Sequence, residues 1–249
     1  MSQIPPVFCF RFALLGALTL AGCSEQPEPR CATTLTTFAA RYELVSGSGA
    51  CAELTGEILG AMTFVTDWRE DDDDGLYSVA IQSAAAGDLV AQGEASDPPV
   101  ADPDAEHHPY GIGKFTSKTP GDDGLCQIPT LAAAELDMPE IPGTEPDVEA
   151  TPATSLAYQW QNFRLAVSAG AQGMQWTAEL DYTRDGCSAS YRVRAVAPAV
   201  SCDDGQGNPD DAACERRAAE LSGVHPSLAG GLLCEPTLLA CVLANEPEL

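Results

Sequence analysis

Positive charge is scarce in this chain of 249 residues. It has 12 lysines and arginines against 37 aspartates and glutamates, three histidines, and a formal net charge of −25. The only lysines are Lys114 and Lys118. Because clusters of lysine and arginine bind nucleic acids and anionic membrane surfaces, this composition argues against both as partners. A basic ligand or a divalent cation suits the charge better.

Long apolar runs are missing as well. No segment reaches the roughly 20 apolar residues that a membrane-spanning helix needs. Near the N-terminus, Arg11 precedes a short apolar run at residues 12–20, and small residues follow it. These are the three parts of an export signal. The run ends in a tetrad that resembles the lipobox of bacterial lipoproteins, Leu20-Ala21-Gly22-Cys23.

The lipobox resemblance implies processing at Cys23. Residues 1–22 are then a signal peptide, the Cys23 thiol receives diacylglycerol, and the new amino group is acylated, typically with palmitate. Residues 23–30 form a lipidated acidic tether. Two or three acyl chains anchor a protein stably, since burial contributes about 0.8 kcal/mol per methylene. We expect a cell-envelope protein, most specifically of the outer membrane, whose membrane contact is this lipid. An ordinary signal peptide, with Cys23 unmodified, is the alternative.

Recognisable catalytic motifs are absent from the sequence. It contains no Gly-x-Ser-x-Gly turn, no glycine-rich phosphate loop after a strand, and no Cys-x-x-Cys pair for zinc. Adjacent His107 and His108 lie in a proline-rich stretch and are expected to be solvent-exposed loop residues. We therefore expect a protein that is not an enzyme and that has no cofactor, with calcium as the one exception considered below.

Cysteine usage agrees with export. Of ten cysteines, Cys9 leaves with the signal peptide and Cys23 carries the lipid. An even number in an exported chain predicts a disulfide framework. Eight cysteines allow 105 connectivities, and the short loops favour Cys202–Cys214 and Cys234–Cys241. The eight are Cys31, Cys51, Cys126, Cys187, Cys202, Cys214, Cys234 and Cys241.

Short strand-like segments dominate residues 34–95. Apolar and polar residues alternate from Phe38 to Leu44, and further runs lie at residues 58–65, 76–82 and, more weakly, 89–92. Glycine- and aspartate-rich turns separate them. Such a pattern predicts a mostly β fold, an antiparallel β-sandwich or barrel-like domain over residues 31–201.

The segment 175–196 carries the strongest local signal, a β-hairpin about Asp185-Gly186. An Asp-Gly pair is favoured in a two-residue turn because both central residues take positive φ. Folding about this turn pairs Leu180 with Tyr191 among apolar residues on one face, and Glu179 with Arg192 on the other. Trp176, Ala178 and Tyr182 share the apolar face with Ala189, Val193 and Ala195.

The regions on either side of this hairpin differ from it. Residues 96–154 are rich in proline and acidic residues, which predicts long surface loops around a short apolar stretch at 131–136. In the strand that ends near Ser168, Tyr158 and Trp160 lie on one face and Phe163 on the other, so one set is expected to be exposed. Residues 202–249 predict a disulfide-rich, partly helical C-terminal cap, with a helix at 211–221.

A glycine-rich acidic loop begins after Cys202. Carboxylate and amide oxygens are the ligands that Ca²⁺ prefers, but the loop lacks the order of an EF-hand. A calcium site and a disulfide-closed acidic loop without metal are the two readings. The proposed ligands are Asp203, Gln206, Asn208 and Asp210.

Three stretches resemble a group of uncharacterised cell-envelope lipoproteins from myxobacteria. They are GACAELTGEILG at 49–60, CSASYRVRAVAPAVSC at 187–202, and the ending SGVHPSLAGGLLCEPTLLACVL, together with the lipobox. The resemblance implies a location and a disulfide-bonded β fold, and it supplies no activity and no catalytic residues.

The function that we expect is that of a non-enzymatic surface lipoprotein, a binding, adhesion or envelope-assembly module with a protein or glycan ligand. One alternative is an extracytoplasmic hydrolase that acts on polysaccharide or peptide. The other is a structural module stabilised by calcium.

Overall fold

Antiparallel strands are the main secondary structure of the protein, a computed structural model that describes residues 28–65, 76–143, 149–168, 172–215, 228 and 231–247. One α-helix, α1, covers Ala84–Ala95. Short 3₁₀ turns lie at Gly49–Glu53 and Asp211–Cys214. The strands are β1 Thr36–Gly47, β2 Gly56–Val65, β3 Tyr77–Ser83, β4 Gly111–Lys114, β5 Leu125–Thr130, β6 Ala134–Met138, β7 Thr154–Ala166, β8 Gln175–Arg184, β9 Cys187–Val196, β10 Leu232–Glu235 and β11 Ala240–Leu243.

Nine of these strands form one sheet that curls into a nearly closed barrel. Its order is β4-β3-β2-β1-β9-β8-β7-β5, and β6 pairs with β7 beside β5. The two edges meet where Ile112 and Ala132 exchange backbone hydrogen bonds of 3.2 and 2.7 Å. Closure pairs the backbone groups that an open edge leaves exposed. The prediction of a mostly β, antiparallel, barrel-like fold is confirmed.

The predicted hairpin is confirmed in register and turn. Leu180 pairs with Tyr191 and Glu179 with Arg192 across β8 and β9. Asp185 and Gly186 have φ of 49° and 84°, as the two-residue turn requires. The apolar residues on one face of this hairpin are all buried in the barrel.

Aromatic side chains fill the barrel interior. The indoles of Trp160 and Trp176 meet edge to face with centroids 5.9 Å apart, and the Phe163 ring lies 5.2 Å from Trp176. Tyr158 and Tyr182 continue this packing at 5.0 Å. The interior is therefore a packed core, in which each aromatic pair contributes about 0.5–1.5 kcal/mol beyond the area that it buries.

A bulge in β7 corrects the expectation that Tyr158 and Trp160 lie opposite Phe163. The pairing with β8 shifts between Gln161 and Arg164, and Asn162 takes a φ of 50°. The extra residue reverses the alternation, so both sets of apolar residues face the core and are buried. Strict alternation fails here because a bulge inserts one residue without a partner.

The predicted secondary structure is wrong for two segments. Residues 89–92 belong to α1 rather than to a strand, because Ser83 caps an alanine-rich start and its Oγ accepts a hydrogen bond from Ala86 N at 3.0 Å. The expected loops at 96–154 contain β4 and β5, in addition to β6 near the anticipated apolar stretch. These short strands form because the barrel edges offer backbone partners, which local composition does not reveal.

All eight cysteines in the described residues form disulfides. The pairs are Cys31–Cys126, Cys51–Cys187, Cys202–Cys234 and Cys214–Cys241. The two local pairs that the sequence favoured are wrong, because the chain folds the loop at 202–214 onto the hairpin of β10 and β11. Each cysteine in the loop therefore meets a cysteine in the hairpin.

The C-terminal part packs against the outer surface of the barrel. Ala240 and Val242 of β11 contact Ala39 of β1, and a second small core surrounds the last two disulfides. Of the helix expected at 211–221, the structure shows a 3₁₀ turn at Asp211–Cys214, and residues 216–221 lie outside the described part. No helix in the described ranges is long and apolar enough to cross a membrane.

The barrel has two distinct ends. At the tether end, Cys31 is bonded to Cys126 and precedes the start of β1. At the distal end, the disulfide Cys51–Cys187 joins the β1–β2 connection to the β8–β9 hairpin. Because β1 has 12 residues, its two ends are separated by about 40 Å.

Candidate functional site

The outer surface of the barrel differs in chemistry from sector to sector. The C-terminal part covers the area over β1 and β9. Over β7 and β8 the outward side chains are polar, as in Asn162, Thr177 and Glu179. Over β1–β4 they are apolar, and Leu35 and Met62 are 79% and 49% exposed. A large apolar area in contact with solvent commonly marks a binding surface.

This apolar sector forms a groove of about 810 Å³, which we call the β1–β4 groove. Its floor is low because Gly60 has no side chain and Ala80 a small one. Its lining residues are Leu35, Thr36, Thr37, Gly60, Ala61, Met62, Ala80, Gln82, Tyr110 and Ile112.

The strand register divides the β1–β4 groove into two rows. In one row, Thr37, Gly60 and Gln82 are neighbours across β1, β2 and β3. In the other, Met62 and Ala80 lead to Ile112 on β4. Residues two apart on a strand point to the same side about 7 Å apart, so an apolar row runs beside a row with polar ends. Small-molecule sites combine these features, mostly apolar walls with a few polar groups.

A carboxylate lies inside the distal end of the barrel. Glu57 accepts hydrogen bonds from the hydroxyls of Tyr42, at 2.8 Å, and Tyr158, at 3.0 Å. Burial raises the pKa of Glu57, and the two phenol hydrogen bonds and the charge of Arg184 oppose that rise. The pKa of Tyr42 lies well above its usual value, through burial first and the Glu57 charge second.

We expect Glu57→Gln to remove a pH dependence of stability. The pKa of Glu57 is higher in the folded protein than in the unfolded chain. At a pH between these two pKa values, the folded protein keeps the Glu57 proton and the unfolded chain has lost it. The free energy of unfolding of the wild type should therefore fall relative to that of the variant as pH rises through this window. Urea titrations between pH 4 and 8 measure the difference. Glu53→Gln, at an exposed carboxylate, is the control, and parallel curves for wild type and Glu57→Gln would contradict the prediction.

The proposed calcium ligands occupy a loop that is rich in internal hydrogen bonds. Asp203 Oδ1 accepts from the backbone N–H of Gly205 and Gly207, at 2.8 and 2.9 Å. Asp210 Oδ1 accepts from Ala212 N at 2.9 Å. The side chain of Asn208 donates to Asp204, and no hydrogen bond in the described part of the loop involves the Gln206 side chain. These bonds stabilise the loop by themselves, and calcium binding by Asp203, Gln206, Asn208 and Asp210 stays a prediction.

His107 is not the free loop residue that the sequence suggested. Its Nδ1 lies 3.1 Å from Asp102 Oδ2, and its Nε2 lies 3.6 Å from Asp104 Oδ2. Carboxylates of Glu135 and Asp137 on β6 each lie 3.9 Å from the ring. The Asp102 hydrogen bond raises the pKa of His107. The imidazole thus joins the loop before β4 to the outer face of β6.

The β1–β4 groove and the Glu57 cluster were both missed by sequence reasoning. A signal for the groove does exist in β2: its outer face consists of apolar and glycine residues although its other face supplies Leu59 and Ala61 to the core. The Glu57 cluster has no such signal, because its tyrosines come from strands that are distant in sequence. Cys23, the expected lipidation site, lies outside the described residues.

Comparison with known proteins identifies relatives across most of the chain. The model of the MlpA family matches residues 36–198, from the first residue of β1 to just beyond β9. A protein of Myxococcus xanthus described as "Putative lipoprotein MlpA" is 26% identical over 234 residues, which cover 90% of this chain and 87% of that protein. No solved structure matches. The resemblance to myxobacterial lipoproteins is thereby confirmed.

Proposed function

This chain belongs to the MlpA family, and from that premise we propose that it is a non-enzymatic, lipid-anchored binding module of the outer membrane whose β1–β4 groove takes the acyl chain of a small amphipathic molecule. The similarity to a protein described as a putative lipoprotein supports a lipid anchor. The groove is the observation that supports a binding role rather than adhesion or envelope assembly.

The shape and lining of the groove favour an acyl chain. A volume of about 810 Å³ lies in the range of about 300–1,000 Å³ typical of small-molecule sites. Leu35, Met62 and Ile112 offer aliphatic contacts to a chain, each buried methylene contributing about 0.8 kcal/mol. Thr37 and Gln82 in the neighbouring row offer hydrogen bonds to a polar head group.

The lining also supports binding without catalysis. Among the residues that the structure places around the groove, none is a carboxylate, histidine or cysteine. The commonest general bases, which would also activate a threonine hydroxyl as a nucleophile, are therefore missing from this lining.

The anchor keeps the groove near the membrane. Cys31 is fixed to the barrel by its disulfide, and eight residues separate it from Cys23. A chain of that length spans at most about 30 Å. Leu35 in the groove follows Cys31 by four residues, so the site lies close to a source of amphipathic molecules.

Gly60→Leu tests the proposal by filling the groove. A Cβ at Gly60 meets only Gln82 O, at 3.9 Å, so the fold accommodates a side chain there. The full chain is used for this measurement. A fluorescent fatty acid should bind the unmodified chain with a rise in emission, and Gly60→Leu should weaken binding at least tenfold.

The matched control is Thr183→Leu, which adds the same side chain at an exposed position of β8. It should bind the probe like the unmodified chain. Absence of probe binding to the unmodified chain, or equal binding by Gly60→Leu, would overturn the proposed function.

A further inference from the structure

We propose a second binding site on the opposite side of the barrel, for an acidic sugar, a saccharide unit that carries a carboxylate or a phosphate. It lies on the outer face of β7–β9, where Arg164, Arg192 and Arg194 border a polar cavity of about 240 Å³. We call this cavity the arginine site. It is independent of the β1–β4 groove.

The bulge in β7 creates one side of the site. With unbroken alternation from the buried Trp160, residues 162 and 164 would face the core. Because the bulge at Asn162 shifts the register, Arg164 is exposed on the outer face and its neighbours Phe163 and Leu165 are buried. The positive φ of Asn162 therefore belongs to the bulge that places Arg164 on the outer face.

The register places the three arginines around one position. Thr177 of β8 has Arg164 and Arg194 as its two cross-strand neighbours. Adjacent strands lie about 4.8 Å apart, so the Cα atoms of these arginines are separated by roughly 10 Å. Arg192 precedes Arg194 by two residues on β9, which is about 7 Å along the strand. The long side chains of Arg164 and Arg192 can reach one oxyanion at this spacing, while Arg194 is held by Glu43.

Two of these arginines are not neutralised within the described structure. Arg194 is fixed by Glu43 Oε2 at 2.8 Å and by the carbonyl of Ala244 at 3.1 Å. Neither Arg164 nor Arg192 forms an ion pair or a side-chain hydrogen bond in the described residues. Glu43 and Glu179 are the cross-strand neighbours of Arg192, but Glu43 pairs with Arg194 and Glu179 with Asn162. Guanidinium groups without an ion pair bind carboxylate and phosphate well.

The remaining lining selects for a ligand with hydroxyl groups. Glu179 is directly across from Arg192, yet its Oε2 accepts a hydrogen bond from Asn162 Nδ2 at 2.8 Å. Glu246 also lines the cavity, as does Thr177. These carboxylates disfavour a bare anion but accept hydrogen bonds from sugar hydroxyls. Arginines for the acidic group and acceptors for the hydroxyls together match one acidic sugar unit.

Calorimetric titration of the full chain tests this site. The probes are methyl glucuronide, glucose 6-phosphate and the neutral methyl glucoside. We expect one or both acidic sugars to bind at least tenfold more tightly than the neutral one, and the stronger acidic ligand identifies whether carboxylate or phosphate is preferred. The affinity should fall as salt rises, because the attraction is between exposed charges.

Variants locate the binding. Arg164→Gln and Arg192→Gln should each weaken acidic-sugar binding at least tenfold and leave the unfolding transition unchanged, because both side chains are exposed. Arg184→Gln, at an exposed arginine that pairs with Asp185 at the distal end, is the control and should bind normally. The proposal is overturned if neither acidic sugar binds, if the neutral sugar binds equally well, or if both site variants retain full affinity. Fatty-acid binding in the β1–β4 groove is a separate measurement and decides nothing here.

Discussion

Replacing Cys51 and Cys187 together by alanine is expected to lower the free energy of unfolding by about 2–5 kcal/mol. The disulfide closes a sequence separation of 136 residues and is buried at the distal end of the barrel. Its removal gives the unfolded chain more conformational freedom and so lowers the stability of the folded state. The loss of stability grows with the length of the loop that the disulfide closes. It also releases the turn Gly49–Glu53 from the β8–β9 hairpin.

Thermal and urea unfolding measure this effect, with each kcal/mol shifting the melting temperature by about 2–4 °C for a chain of this size. Cys202→Ala with Cys234→Ala is the matched comparison, because that disulfide spans only 32 residues. The chain-entropy relation gives it a contribution smaller by about 1 kcal/mol. Peptide mapping without reductant should recover the four pairs seen in the structure. Recovery of Cys202–Cys214, or an unchanged melting temperature in the Cys51/Cys187 variant, would contradict the account.

Leu180→Ala is expected to cost about 2–5 kcal/mol of folding stability. Leu180 is 1% exposed and lies between Trp160 on β7 and Tyr191 on β9. Truncation removes buried contacts and leaves a cavity that the surrounding rings do not fill, since aromatic side chains on β7 and β8 are already packed against one another. The loss is therefore larger than the transfer free energy of the deleted methyl groups alone.

Thr183→Ala on the same strand is the control for Leu180→Ala. Thr183 is exposed on the outer face, and its replacement should change stability by less than about 1 kcal/mol. Equal losses for the two variants would mean that strand propensity, rather than core packing, sets the cost. A loss below 1 kcal/mol for Leu180→Ala would refute its place in the barrel core.

Local patterns were sufficient for the β8–β9 hairpin. The Asp185-Gly186 turn and the alternation of apolar residues around it define the same register, because turn geometry and burial act within 22 consecutive residues. The even number of cysteines likewise indicated the disulfide framework. The weaker pattern at 89–92 failed, since an N-cap at Ser83 and an alanine-rich start outweighed two β-favouring residues.

Sites made from distant strands were not readable in this way. The Glu57 cluster joins β2 with tyrosines of β1 and β7. The arginine site depends on a bulge at Asn162, and the sequence of β7 did not predict that bulge. Cysteine pairing belongs to the same class: Cys234 and Cys241 face each other across β10 and β11, yet each bonds to the loop at 202–214.

The sequence by itself determined the β class, the hairpin register and the number of disulfides, because each depends on residue type and spacing over short distances; lipidation at Cys23 stays a prediction. Tertiary structure alone decided the barrel closure at Ile112 and Ala132, the disulfide partners and both proposed binding surfaces. These depend on which strands become neighbours and on which face of each strand remains outside the barrel. Such choices minimise exposed apolar surface and unpaired backbone groups over the whole chain, and no local segment contains that information.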